Sequence, residues 1–141
     1  MKICSACLIG MECRYDGKDN LSKASDRLIK EYKKGEIIPV CPEQMGGLPT
    51  PRIPCEIKNY RVFNREGEET TKYFEKGARE VMKIVEDLGI EEAIMKQGSP
   101  SCGCGQIYSG DFSGEKIEGD GITTRVLKKN GVKIFSENDY L

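Results

Sequence analysis

The chain has 141 residues, and its 22 Lys and Arg nearly balance 23 Asp and Glu, which leaves a formal net charge of −1. A domain of this length buries enough surface to fold without disulfides or metal ions. The balanced charge argues against nucleic acid or acidic lipid as a partner and favours a small molecule. No segment approaches the roughly 20 apolar residues of a membrane span, and the first residues (MKIC) lack the features of a signal peptide, so we expect a cytoplasmic protein.

Seven cysteines and the absence of histidine are the most informative features of the composition. Thiols stay reduced in the cytoplasm, and an odd number of cysteines cannot form a complete disulfide framework. The absence of histidine excludes Ser-His and Cys-His nucleophile pairs, together with every imidazole-ligated metal site. A metal in this protein would therefore be bound through sulfur.

The first part of the chain predicts a strand, a turn-rich stretch and a helix. Residues 3–6 form a short apolar segment that is typical of a strand. Residues 10–20 contain the turn signal Asp16-Gly17. Apolar residues at helical spacing then predict a helix over 23–34, with Ser22 as its candidate cap.

The middle of the chain predicts a second strand over 36–40, which is rich in β-branched residues. It leads directly into Cys41-Pro42-Glu43 and a loop rich in Gly and Pro. A further short strand, at a sheet edge, is predicted over 60–64.

The second half contains the clearest helix, predicted over 71–89 from an apolar face that ends at a glycine. A strand over 93–96 follows and ends in the loop 99–105. A final helix stops at Gly131, and the last strand is predicted over 132–135.

Alternating strands and helices predict parallel pairing, because a helix supplies the crossover that a parallel return needs. We therefore predict one three-layer α/β domain over residues 1–141, with a mostly parallel sheet. Cys7, Cys41 and Cys102 each follow the carboxyl end of a predicted strand. Ligands of open α/β sheets bind in the crevice outside these ends, so three thiols that are distant in sequence are expected to converge there.

The other cysteines leave alternatives open. Cys4 and Cys7 form a C-x2-C pair, which is typical of a redox motif or of half a zinc site, with Cys102 and Cys104 as the other half. Cys4 and Cys55 also fit buried thiols that pack as small hydrophobes, and for Cys4 this interpretation is favoured.

Three further polar residues and two further thiols lie near the predicted crevice. Glu43 follows Cys41 by two residues and is a candidate acid or base, or a solvated surface charge. Arg14 and Asp16 are expected either to pair with each other or to bind substrate. Cys13 and Cys104, both in predicted loops, are candidates for an additional ligand or a reserve thiol.

Several of these residues lie in segments that resemble the thiouracil desulfidase family. In chain order the matching segments are Ser5-Ala6-Cys7-Leu8-Ile9-Gly10, Arg14-Tyr15-Asp16-Gly17, Cys41-Pro42-Glu43, Gly46-Gly47-Leu48-Pro49-Thr50-Pro51-Arg52 and Ser99-Pro100-Ser101-Cys102-Gly103. The similarity extends from Cys7 to the region of Gly131. It implies a Rossmann-like α/β domain.

The same resemblance implies a [4Fe–4S] cluster, which is expected to be oxygen-sensitive, on Cys7, Cys41 and Cys102. It also implies that a thiolated pyrimidine is converted to its oxo form with release of hydrosulfide. Glu43 is the expected acid or base, and Ser99, with Ser101 second, is expected to orient the pyrimidine. The rival hypothesis is a non-catalytic module that binds zinc or carries a cluster; the sequence does not indicate an oligomeric state.

Overall fold

The computed structural model describes residues 1–141. Its helices and strands, in chain order, are β1 (Lys2–Ser5), α1 (Asp26–Lys33), β2 (Ile37–Val40), α2 (Pro42–Met45), β3 (Cys55–Lys58), β4 (Arg61–Asn64), α3 (Thr71–Leu88), β5 (Glu92–Met95), β6 (Cys104–Tyr108), β7 (Lys116–Asp120), α4 (Ile122–Lys129) and β8 (Lys133–Ser136). Short 3₁₀ turns occupy Ala6–Ile9 and Leu21–Lys23. None of the helices combines the length and the apolar character that crossing a membrane requires.

A four-stranded sheet of order β2-β1-β5-β8 forms the centre, and all of its pairs are parallel. Helix α1 packs on one face, where Leu28 meets Cys4 of β1. Helices α3 and α4 pack on the other, where Val81 and Leu127 meet Ile3. Neighbouring residues of β1 thus point into two different cores, as strand geometry requires. The predicted three-layer α/β domain with a parallel sheet is confirmed.

Helix α3 agrees with its sequence pattern almost to the residue. Its apolar face is buried, including Phe74 and Val81, and the helix ends at Gly89, whose left-handed φ of 61° a glycine adopts without steric cost.

The start of α1 differs from the prediction. Ser25, and not Ser22, caps this helix, because its Oγ accepts a hydrogen bond from the Leu28 amide at 3.2 Å. The α-helix therefore begins at Asp26, and Leu21–Lys23 is a separate 3₁₀ turn.

Two antiparallel hairpins lie outside the main sheet and were not predicted as such. The strand expected over 60–64 is β4, which pairs with β3 and not with an edge of the main sheet. Strands β6 and β7 form the second hairpin. Most of their residues are exposed and include glycines, so no alternating pattern marks these strands in the sequence.

The four-residue helix α2 follows β2 and is held closely against α3 through two glycines. A Cβ added at Gly77 would lie 2.0 Å from the Pro42 carbonyl oxygen, and one at Gly46 would lie 1.9 Å from that of Tyr73. Any larger residue would force the two backbones apart. This contact matters because α2 carries Glu43 and is capped by Cys41.

Candidate active site

A cavity of about 480 Å³ opens at the carboxyl ends of β1, β2 and β5. The chain leaves β1 towards α1 on one face and leaves β5 towards α4 on the other, so a crevice forms between these two strands. Cys7, Cys41 and Cys102 follow the three strands and all line this cavity. The structure therefore brings together the three thiols that the sequence analysis singled out.

Cys7 lies in the 3₁₀ turn after β1, where its Sγ accepts a hydrogen bond from Asn20 Nδ2 at 3.2 Å. The other end of that amide accepts from Arg14 Nη1 at 3.1 Å. Hydrogen bonds from the Cys13 thiol and from Asn20 lower the pKa of Cys7. Arg14 therefore acts on Cys7 by orienting Asn20.

Cys41 is the residue that precedes the first turn of α2. A hydrogen bond from the Cys13 thiol, together with one from the Gln44 backbone, lowers the pKa of Cys41 to about 7. Burial of the thiol acts in the opposite direction but is the weaker effect. At neutral pH a large fraction of this thiol is thus ionised, which is the form that binds metal.

Cys102 is the most deeply buried of the three thiols, and burial raises its pKa. The Ser101 hydroxyl oxygen lies 3.6 Å from its sulfur. Metal binding would have to release a proton from Cys102.

The remaining cysteines separate into different environments. Cys13 is buried and lines the cavity. Its thiol is hydrogen-bonded to Cys41 and Cys7, and these hydrogen bonds raise the pKa of Cys13. Cys4 is fully buried, which raises its pKa to about 12 and confirms its role as a packed core residue.

Cys55 and Cys104 both differ from expectation. Cys55 is only partly buried and lines the cavity, where its sulfur accepts from Thr70 Oγ1 at 3.5 Å. Cys104 was expected in a loop near the site, but it lies in β6 outside the cavity lining, and its amide donates to Gln97 Oε1 at 2.8 Å.

Glu43 is a wall of the cavity and is hydrogen-bonded on both carboxylate oxygens. Ser101 Oγ donates to Oε2 at 2.7 Å, and Ser99 Oγ lies 3.4 Å from the same atom. Arg52 Nε donates to Oε1 at 3.0 Å. Glu43 is only 13% exposed, so the interpretation as a solvated surface charge is wrong.

Ser99 and Ser101 have distinct roles. The Ser101 hydroxyl is buried and points to Glu43, whereas Ser99 is part-exposed and its hydroxyl accepts the amides of Ser101 and Cys102 at 3.1 and 3.0 Å. With both lone pairs engaged, Ser99 retains one hydroxyl proton to donate. Ser101 thus holds the carboxylate, and Ser99 donates its own proton to Ser101 Oγ at 2.9 Å.

Arg52 is the residue that the sequence analysis assigned no role. Its side chain is 6% exposed, and its guanidinium also donates to the carbonyl of Cys13 at 2.8 Å and to that of Pro49 at 3.2 Å. It therefore ties Glu43 to the loop that carries Cys13. In the sequence it ends the segment 46–52, which resembles the thiouracil desulfidase family, but this signal does not identify its partner.

Arg14 and Asp16 form an ion pair of 3.1 Å, the first of the two possibilities that the sequence left open. Arg14 lines the cavity, but Asp16 does not, and its Oδ1 accepts the Lys18 amide at 3.0 Å. Asp16 therefore meets the cavity through Arg14, and the part of these two residues in substrate binding stays a prediction.

Lys96 was also missed. It lines the cavity at the end of β5, where its Nζ pairs with the buried carboxylate of Glu137 at 3.0 Å. The Lys96 charge is among the causes that lower the pKa of Cys7. The rest of the lining includes Tyr108 and Phe112 from the second hairpin.

The donor set fits an iron–sulfur cluster. All seven cysteines are free thiols, and five of them line one cavity, among which Cys7, Cys41 and Cys102 follow three different strands. Sulfur is the donor that such clusters require.

The chain is similar to known proteins over nearly its whole length. It is 37% identical over 149 aligned positions to YbbK, an uncharacterised protein of Bacillus subtilis (strain 168). The alignment covers 99% of this chain and 97% of YbbK. Its fold matches the solved structure of the [4Fe–4S]-dependent thiouracil desulfidase TudS with a TM-score of 0.94 and 40% identity, over 98% of this chain and 91% of TudS. The family model described as 2-thiouracil desulfurase matches residues 3–139. The chain belongs to the 2-thiouracil desulfurase family.

Proposed function

We propose that this enzyme replaces the thiocarbonyl sulfur of a thiolated pyrimidine with oxygen and releases hydrosulfide, using a [4Fe–4S] cluster on Cys7, Cys41 and Cys102. The observation that carries this proposal is the pairing of Glu43 with Ser101, at 2.7 Å, in the same cavity as the three free thiols. Membership of the 2-thiouracil desulfurase family and the fold shared with TudS support it.

When bound through three thiolates, such a cluster supplies one iron without a protein ligand, a Lewis acid that prefers sulfur and draws electron density from the C=S bond. The protein supplies the proton transfers. Glu43 takes a proton from the attacking water and returns it to the departing sulfur or the ring nitrogen. Water provides the oxygen atom, sulfur leaves as hydrosulfide, and no net electron transfer occurs.

The contacts of Glu43 support its role as a base. Arg52 Nε and Ser101 Oγ both donate to it, so the carboxylate is positioned as a hydrogen-bond acceptor on each of its two oxygens. Arg52 and Ser101 keep it pointed into the cavity. On substrate binding, Ser99 turns its single hydroxyl proton from Ser101 to the pyrimidine edge and orients the ring.

We place the reaction in the cytoplasm, because seven free thiols suit a reducing compartment. An open iron also suits an oxygen-sensitive site, so activity is expected only under anaerobic handling. A small thiolated pyrimidine is the proposed partner.

The decisive experiment is anaerobic reconstitution with iron and sulfide, followed by iron analysis and by the loss of the thiocarbonyl absorbance of 2-thiouracil. A brown, active protein is expected. Cys7→Ser, Cys41→Ser and Cys102→Ser should each abolish both properties, while Cys104→Ser, a thiol outside the cavity, should change neither.

Two outcomes contradict the proposal. A colourless protein that binds zinc, or a fully loaded protein that turns over no thiolated pyrimidine, would favour the non-catalytic carrier module. Loss of the cluster in Cys104→Ser would contradict the choice of ligands.

A further inference from the structure

The part of the cavity lining that comes from the two hairpins has no role in the chemistry above. It contains Arg65, which follows β4, and Tyr108, which is the last residue of β6. It also contains Phe112, in the loop between β6 and β7. Neither aromatic ring is buried in a core cluster. A half-exposed aromatic ring in a cavity for a flat substrate is an available stacking surface.

Phe112 has a left-handed backbone with a φ of 52°. The other non-glycine residues with positive φ are Asn59 and Tyr60, which form the two-residue turn between β3 and β4. Such a turn requires positive φ at both positions. The longer loop between β6 and β7 imposes no such requirement on Phe112.

A glycine at position 112 would adopt this backbone conformation without strain. Gly110 and Gly114 occupy positive φ values of 95° and 83° in the same loop, where glycine pays no steric cost. A bulky aromatic residue in this region is a genuine outlier. Residues in such conformations are concentrated at ligand-binding and active sites. The strained backbone at position 112 therefore points to a role for the Phe112 side chain.

The first hairpin holds Phe112 in place. Glu56 Oε1 accepts the amides of both Gly110 and Phe112 at 3.0 Å, and Lys58 pairs with Asp111. The Arg65 guanidinium lies 5.6 Å from the centroid of the Phe112 ring. The backbone of Phe112 is therefore held from strand β3, and its ring is contacted by Arg65 from the end of β4.

We propose that Phe112 is a specificity-determining residue, whose preorganised ring is the face on which the planar pyrimidine stacks. The inference rests on the proposed function for the identity of the substrate. Stacking of a base on an aromatic side chain is sequence-tolerant, and its loss weakens binding roughly ten- to hundredfold. Stacking on Phe112 favours a flat aromatic ring over a puckered, saturated ring, because only the flat ring can lie against the phenyl face.

The test is calorimetric binding of uracil and of 5,6-dihydrouracil to the iron-loaded protein, since neither ligand carries a sulfur to react. Phe112→Gly should weaken uracil binding roughly ten- to hundredfold and should affect dihydrouracil far less. Phe112→Tyr should keep the preference for uracil. Phe112→Gly also relieves the left-handed backbone, so a folding defect is not expected.

Tyr60→Gly is the matched control, because it removes an aromatic residue of positive φ, beside Arg125, that lies outside the cavity. It should bind both ligands as the unmodified protein does. Equal weakening of both ligands in Phe112→Gly, unchanged uracil binding in that variant, or no uracil binding by the unmodified protein would overturn the stacking role. Turnover of 2-thiouracil is measured separately: selective uracil binding that depends on Phe112 in a protein without turnover would leave stacking in place and contradict the proposed function.

Discussion

At the scale of single residues, the proposed chemistry depends on one carboxylate that is almost withdrawn from solvent. Glu43 is ion-paired with Arg52, and both side chains are nearly buried, at 13% and 6% exposure. A buried ion pair has well-defined geometry, but the removal of one partner leaves an uncompensated charge. The pair therefore orients the proposed base and makes the site sensitive to the charge of Glu43.

Replacing Glu43 by glutamine tests this role. Glu43→Gln keeps the size of the side chain and two of its hydrogen-bonding positions but cannot take a proton, so turnover of 2-thiouracil should fall about 10²–10⁴-fold. Iron content should match that of the unmodified protein, because no ligand is lost. The measurement is the initial rate per bound cluster after anaerobic reconstitution.

Glu12→Gln serves as the control for the loss of one negative charge, since Glu12 is exposed and lies outside the cavity. It should be fully active. Full activity of Glu43→Gln at normal iron loading would remove Glu43 from the mechanism, and loss of iron in that variant would assign the residue to cluster retention instead.

At the scale of elements, the position of α2 depends on its neighbour. A helix of four residues is too short to form alone, so packing on α3 keeps Pro42–Met45 helical. The contact is close because Gly77 and Gly46 leave no side chain between the two helices. The orientation of Cys41 and Glu43 is in this way determined by a residue of α3.

Gly77→Ala separates helix propensity from close approach, because the two effects have opposite signs. Alanine in a helix interior is favoured over glycine by roughly 0.5–1 kcal/mol, but here its methyl group would lie 2.0 Å from the Pro42 carbonyl oxygen. Overpacking of this kind costs about 1–3 kcal/mol. We expect a lower free energy of unfolding in urea and weaker retention of iron.

Lys76→Ala is the neighbouring control on α3, because this lysine is exposed and its replacement leaves the glycine contact intact. Its stability should stay close to that of the unmodified protein. A Gly77→Ala protein as stable as the unmodified one would show that α2 can move away from α3 without loss.

At the scale of the whole molecule, the site joins parts of the chain that meet only in the native fold. Three loops at the ends of β1, β2 and β5 supply the thiols, and two hairpins outside the sheet complete the cavity. The unfolded chain does not preserve this arrangement. A group bound by all three loops must therefore stabilise the native state selectively.

Cluster loading is accordingly expected to raise the melting temperature. A ligand at a hundred times its Kd adds about 2.7 kcal/mol, which corresponds to a rise of about 5–10 °C for a chain of this size. The measurement compares loaded and metal-free protein by anaerobic thermal scans. The rise should disappear on exposure to air and should be absent in Cys102→Ser; an equal rise in that variant would show that the cluster binds elsewhere.

The sequence by itself determined those features that depend on neighbouring residues. The 3.6-residue apolar period specified α3 almost to its last residue, and the alternation of helices with short apolar strands specified the parallel sheet. Because parallel strands present their carboxyl ends at one edge, the common location of Cys7, Cys41 and Cys102 followed from chain order alone.

Only the tertiary structure decided which side chains meet. Glu43 and Ser101 are separated by 58 residues, and Glu56 reaches Phe112 across 56. Arg52 carries no periodic signal, and the exposed strands of the two hairpins show no apolar alternation. Contacts of this kind arise from the packing of elements that local propensity does not relate to one another. For that reason the convergence of Cys7, Cys41 and Cys102 on one cavity was predictable from the sequence, whereas the partners of the Glu43 carboxylate and the aromatic side of the cavity were not.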